Sequence, residues 1–265
     1  MLWDFKTVVD VRYPLALDAF LERASRDFYS RIKSEIVEES SARTVQSHLA
    51  IACEGIDLVL DSMFPDMLGR SDLPFLEIGA NDGMTQSNTL FFEMKYGSSG
   101  VLVEALPSKF ADMVRFRSSE NHFFNCAAVP FDYAGDWVEI FDNNLMSIAD
   151  ICSGSQSAVS EIADWNRHLG GDMDCCSSVK VPARTLQSVI DESGFSVFSL
   201  LSLDVEGFEL SVLDGIDFDV SKFFLILIES RDLKTAAKKL GSVGFRYEAS
   251  FQNGLTHLFG TCDSW

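Results

Sequence analysis

Four short stretches hold residue types that could do chemistry. The first is Glu77-Ile78-Gly79-Ala80-Asn81-Asp82-Gly83, at the end of an apolar run. Its glycines permit a tight turn and a close approach of backbone to a ligand, although glycines at such a turn serve packing equally well. The stretch lacks the G-x-G-x-x-G spacing that lays a pyrophosphate on a helix N-terminus. It sets Glu77 and Asp82 near the ligand instead, and two carboxylates repel a pyrophosphate but suit a ligand with an amino group and a sulfonium. The second stretch, Val103-Glu104-Ala105, stands about 20 residues further on, where doubly wound folds place an acid that accepts hydrogen bonds from ribose hydroxyls. The alternative for Glu104 is a surface acid at a strand end, which its apolar neighbours oppose.

The third stretch is Asn125-Cys126-Ala127-Ala128-Val129 and the fourth Leu203-Asp204-Val205-Glu206-Gly207-Phe208-Glu209. Carboxyl ends of strands line the binding crevice of open α/β sheets, so Asn125 and Ala127 join the expected cofactor contacts. Asp204 closes an apolar run and is therefore desolvated unless paired, which marks it as the expected catalytic residue. Glu206 and Glu209 are placed to cap the following helix, and capping is the reading taken for Glu209. His168 is a second candidate base, with an exposed loop histidine as its alternative.

Elements that position these residues follow from the hydrophobic pattern. Apolar runs at Pro74 to Ala80, Val101 to Ala105, Phe123 to Val129, Val197 to Val205 and Phe223 to Glu229 alternate with helix-like stretches, which predicts a parallel sheet with helices on both faces. Continuous apolar runs are the mark of strands buried on both faces. The end differs, because Phe245 to Ser250 and Leu255 to Gly260 flank Asn253-Gly254, a hairpin signal. The polar stretch from Asp142 to Val179 reads as an insertion over the site. Upstream, Leu17 to Ile32 and Val45 to Met63 repeat at helical spacing, so residues 1–70 are expected to form a helical segment and 71–265 the catalytic domain. Capping the sheet edge is the reading taken for those helices, with a lid or a dimer contact as the alternative.

Composition narrows the function. A hydrophobic share of 47% fills a sizeable core. The formal charge of −19, with basic residues dispersed, makes nucleic acid a poor partner. Phe223 to Ile228 is the longest apolar run, far below the roughly 20 residues of a membrane span. Acid and base near the N-terminus argue against a secretory signal, so a cytoplasmic location is expected. The six cysteines lack paired ligand spacing and read as reduced thiols, and no metal site is expected from the adjacent Cys175 and Cys176.

The motifs together resemble the FkbM family of methyltransferases. The resemblance rests on Glu77 to Gly83 with Ser87-Asn88-Thr89-Leu90-Phe91-Phe92-Glu93, on Val103-Glu104, on Asn125 with Ala127 and Val129, and on Leu201 to Glu209 followed by Val212-Leu213-Asp214-Gly215. It spans about Phe75 to Phe259. It implies an α/β, doubly wound, mostly parallel seven-stranded sheet (class I methyltransferase, Rossmann-like) behind an N-terminal helical extension. It also implies S-adenosylmethionine as cofactor and O-methylation of a hydroxyl on a sugar or related metabolite, hence a small-molecule or glycan acceptor. One departure is Glu77, where many members carry Asp. The rival readings are a nicotinamide-dependent oxidoreductase, disfavoured by the loop and the terminal hairpin, and a scaffold that keeps the fold without turnover.

Overall fold

The computed structural model describes residues 50–142, 148–150, 177–251 and 254–261. Its main sheet contains β1 (Phe75–Ile78), β2 (Gly100–Val103), β3 (His122–Phe124), β8 (Val197–Leu203), β9 (Lys222–Glu229), β10 (Phe245–Phe251) and β11 (Thr256–Thr261), in the spatial order β10-β11-β9-β8-β1-β2-β3. The first five run parallel, and β11 is antiparallel to both β9 and β10. This is the doubly wound, mostly parallel seven-stranded sheet that the resemblance implied, closed by the hairpin that Asn253-Gly254 signalled.

Alternation along the strands divides the core between two faces. Leu76, Ile78, Leu201, Leu203, Ile226 and Ile228 point to one face and meet α5 (Leu186–Ser193), α6 (Glu209–Leu213) and α7 (Leu233–Ser242). Phe75, Leu102, Leu200, Leu225 and Leu227 point to the other and meet α1 (Ile56–Met63), α2 (Pro65–Leu68), α3 (Leu90–Tyr96) and α4 (Pro107–Phe116). Among the described residues no helix is long and apolar enough to cross a membrane.

Two expectations need correction. The apolar run Phe123 to Val129 is two strands in different sheets: β3 ends at Phe124, and β4 (Ala127–Val129) pairs with β7 (Ser177–Thr185). The Asn125 side-chain amide donates to the carbonyl oxygens of Glu104 and Ala105 at 2.8 and 2.9 Å and fixes the chain where it changes sheet. With β5 (Trp137–Asp142) and β6 (Ile148–Asp150), these strands make a four-stranded sheet in the order β4-β7-β5-β6, which the apolar pattern did not announce. Of the helical repeat from Val45 to Met63, Val45 and Leu49 lie outside the described residues, and Ala52 stands in a β-bridge and not in a helix. Residue Gly55, at φ 72°, is the N-cap of α1, so the helix begins only at Ile56. The repeat from Leu17 to Ile32, His168, Cys175 and Cys176 lie outside the described residues.

Candidate active site

Strand order reverses between β1 and its neighbours β2 and β8, and that is where an open α/β sheet opens a crevice at its carboxyl edge. Register makes the three strand ends level. Ile78 is opposite Val103 on one side and Leu203 on the other, so Gly79, Glu104 and Asp204 emerge side by side. The Gly79 N–H donates to the Val103 carbonyl at 3.0 Å, and the Asp204 N–H to that of Ile78 at 3.1 Å. Gly79 has φ +81°, and a Cβ there would stand 1.8 Å from the Asp204 carbonyl oxygen. Glycine is thus required by the neighbouring strand, which supports the packing reading among the two that the sequence left open.

The loop after β1 is held by a buried ion network centred on Arg117, which sequence reading missed. Its guanidinium reaches Glu93 at 2.7 Å and Glu77 at 3.2 Å, and it donates to the Gly83 carbonyl, Ser87 Oγ and Thr89 Oγ1. Burial alone would lower the Arg117 pKa, but the negative charges of Glu93 and Glu77 outweigh it and hold it raised. The Glu77 carboxylate also accepts from Ser87 Oγ, the Asn88 N–H and Thr89 Oγ1. Asp82 accepts from the N–H groups of Met84 and Thr85 at 2.9 and 2.7 Å and so closes its own turn. At Gly83 a Cβ would stand closer to Arg117 and Met113 than van der Waals contact allows, at 2.9 and 3.0 Å. The amide of Asn88 donates to Ser202 Oγ at 3.0 Å and ties the loop to β8.

Of the residues expected at the site, Glu77, Gly79, Ala80, Asn81, Glu104, Ala105, Ala127 and Asp204 line the cleft. Asp82, Gly83 and Asn125 do not. Their side chains or Cβ space are turned to the loop, to Arg117 and to backbone carbonyls respectively. Glu77 lines the cleft while its carboxylate serves the loop. Residues that the sequence did not single out also face the cleft, among them Gln86, Lys109 and Ile140. A signal for one of them is conformational: Asn81, Gln86 and Glu206 hold φ of 51°, 58° and 56°, and all three line the cleft. Non-glycine residues in that region cluster at functional sites.

Electrostatically the cleft is acidic. Glu104 is only 8% exposed, and its two oxygens each accept a 2.8 Å bond, one from the Asn81 N–H and one from that of Leu106. Burial pushes its pKa up to about 7, opposed by those backbone bonds and by Lys109. A carboxylate has about four acceptor sites, so lone pairs remain for a diol. Asp204 has no side-chain hydrogen bond among the described residues, and burial, with Glu229, Glu206, Glu209 and Glu77 around it, raises its pKa well above the usual range. Burial and then Glu229 push Glu206 to about 7, with Arg231 opposing. Glu209 instead accepts from the N–H groups of Val205 and Gly207, at 3.1 and 2.8 Å, and fixes the turn after β8.

This set of carboxylate acceptors suits a nucleoside with a cationic tail: Glu104 has lone pairs that a diol could use, and Asp204 and Glu206 would present negative potential to a sulfonium or ammonium. Pyrophosphate would meet the same carboxylates with Lys109 the one basic side chain among the described cleft residues.

Comparisons with known proteins bear on this cleft. The family described as the methyltransferase FkbM domain matches residues 77–252. No curated protein matches the chain. Among solved structures, the precorrin-6y C5,15-methyltransferase of Geobacter metallireducens GS-15 is 11% identical, with 76% of this chain and 86% of that one covered and a TM-score of 0.37. A SAM-dependent methyltransferase from Aquifex aeolicus is 10% identical, with 88% and 95% covered and a TM-score of 0.37.

Proposed function

The chain belongs to the methyltransferase FkbM domain family, and from that premise we propose that it uses S-adenosylmethionine to methylate a hydroxyl on a sugar or related small metabolite. The observation that carries this reading is the convergence of Glu104 and Asp204 on one cleft at the strand-order reversal. When bound, the cofactor supplies a methyl group on a sulfonium, open to in-line displacement. Glu104 accepts hydrogen bonds from the ribose hydroxyls while the Asn81 and Leu106 N–H groups hold its carboxylate in place. Gly79 and Ala80 line the cleft beside it. Asp204, without another side-chain partner among the described residues, takes the proton of the acceptor hydroxyl. Burial and neighbouring acids raise its proton affinity, as the role of general base requires. Positioning supplies much of the remaining rate, because displacement depends on aligning two reactants in a site that excludes water.

Titration calorimetry with S-adenosylmethionine and with a nicotinamide dinucleotide tests the cofactor, with binding expected only for the first. Incubation with a panel of neutral hydroxylated acceptors should yield S-adenosylhomocysteine and a methyl ether. Binding of the cofactor with no product from any acceptor would favour a scaffold that keeps the fold without turnover.

A further inference from the structure

The segment that precedes the sheet reaches the cofactor loop from outside, through a residue that the proposed chemistry does not use. Asp57, in the first turn of α1, is fully buried, and its carboxylate faces back along the chain. It accepts from the Ile51 N–H at 2.7 Å, the Ala52 N–H at 3.1 Å and the Leu58 N–H at 2.9 Å. Burial raises its pKa, and these backbone bonds oppose the rise. Charge-assisted bonds from backbone N–H groups, at the positive end of a helix, are what make a buried carboxylate tolerable. Ala52, so held, forms an isolated parallel β-bridge with Gln86. Gln86 lines the cleft at φ 58°, a conformation that costs free energy unless its surroundings enforce it.

We propose that Asp57 is a positioning residue for the cofactor site: it latches Ile51 and Ala52 so that the Ala52 bridge fixes Gln86 in the loop after β1. This rests on reading the cleft as the S-adenosylmethionine site. Arg117 fixes the same loop at Gly83 and Ser87, so two clamps act on one loop. The helix behind the latch is itself anchored. Ile56 and Leu60 join the core, and Asp61 receives Lys95 Nζ at 2.5 Å and Tyr96 Oη at 2.6 Å. The latch lies outside the family match, which begins at residue 77, while Gln86 lies inside it.

The test compares Asp57→Ala and Asp57→Asn with Leu60→Ala, which loosens α1 without removing the latch. Affinity for S-adenosylmethionine is measured by calorimetry, and amide hydrogen exchange is followed across residues 81–89. Asp57→Ala should weaken cofactor binding by about tenfold, the equivalent of one hydrogen bond to a charged group, and raise the cofactor KM while leaving kcat at saturation near wild type. Exchange across 81–89 should quicken. Asp57→Asn should lie between, since its amide oxygen still accepts. Leu60→Ala should lower Tm but keep affinity within about twofold and leave exchange across 81–89 unchanged. Wild-type affinity in Asp57→Ala, or equal losses in Leu60→Ala, would overturn the proposal. Should Asp57→Ala not fold, Asp57→Asn is judged by the same criteria. Should the wild-type chain not bind S-adenosylmethionine, the cofactor reading fails, and unchanged exchange in the Asp57 variants would overturn the latch separately.

Discussion

Glu104 and Asp204 share a cleft and a chemistry of burial, yet they differ in what else they touch. Glu104 is fixed by two backbone N–H groups, which suits a residue that must hold one geometry for a bound diol. Replacing it by alanine should weaken S-adenosylmethionine binding by about 1.5 to 3 kcal/mol, the range for hydrogen bonds to a charged group, as read by calorimetry. An unchanged dissociation constant would remove Glu104 from the ribose. Asp204 has no such fixation among the described residues, which leaves its carboxyl available to an acceptor. Asp204→Asn keeps the volume and removes the proton acceptor, so turnover should fall about 100-fold while cofactor affinity changes little. Steady-state kinetics beside a binding titration separates the two effects, and near-normal turnover would exclude Asp204 as the base.

Between elements, the decisive contacts are where strand ends meet and where α4 meets the loop. At Gly79 a side chain would collide with the Asp204 carbonyl and would also have to accept φ +81°. Gly79→Ala should therefore cost on the order of 3 kcal/mol in urea unfolding, from overpacking together with backbone strain. A variant as stable as wild type would mean that β1 and β8 separate easily at their ends. Arg117 is a different case. Its removal leaves Glu77 and Glu93 buried without their counter-charge. Arg117→Met should destabilise the fold by about 3 to 5 kcal/mol, as breaking one side of a buried ion network does. Denaturant unfolding checks the figure, and a loss no larger than that of an exposed pair would show that the carboxylates find other partners.

For the whole molecule, acidity links the site to stability. The chain carries −19, and the cleft gathers acids whose pKa values are raised from the ordinary 4.5 to about 7 in Glu104 and Glu206. An acid whose folded pKa exceeds its unfolded one is stabilising below the unfolded value, and that stability is lost as pH rises through the folded value. Tm of the cofactor-free protein should therefore fall between about pH 4.5 and pH 7, and Glu206→Gln should flatten the fall. Calorimetric melting across that window decides the matter, and a slope unaffected by the substitution would place the repulsion elsewhere. Much of this architecture was legible in the sequence, because a strand buried on both faces must be apolar along its length, and its polar end residues then stand out. Gly79, Glu104 and Asp204 could be found in that way, as could the hairpin, since each signal is local. The division of Phe123 to Val129 between two sheets was not legible, because Asn125 redirects the chain by bonds to carbonyls about 20 residues away that no local pattern encodes. Arg117 with Glu77, 40 residues apart, and Ala52 with Gln86 were hidden for the same reason. The sequence by itself determined the central parallel strands and the polar residues that follow them, because continuous apolar runs mark strands buried on both faces. Only the tertiary structure decided that Asp82 closes its own turn and that Gly83 lies against Arg117, because what a residue faces depends on the elements packed against it.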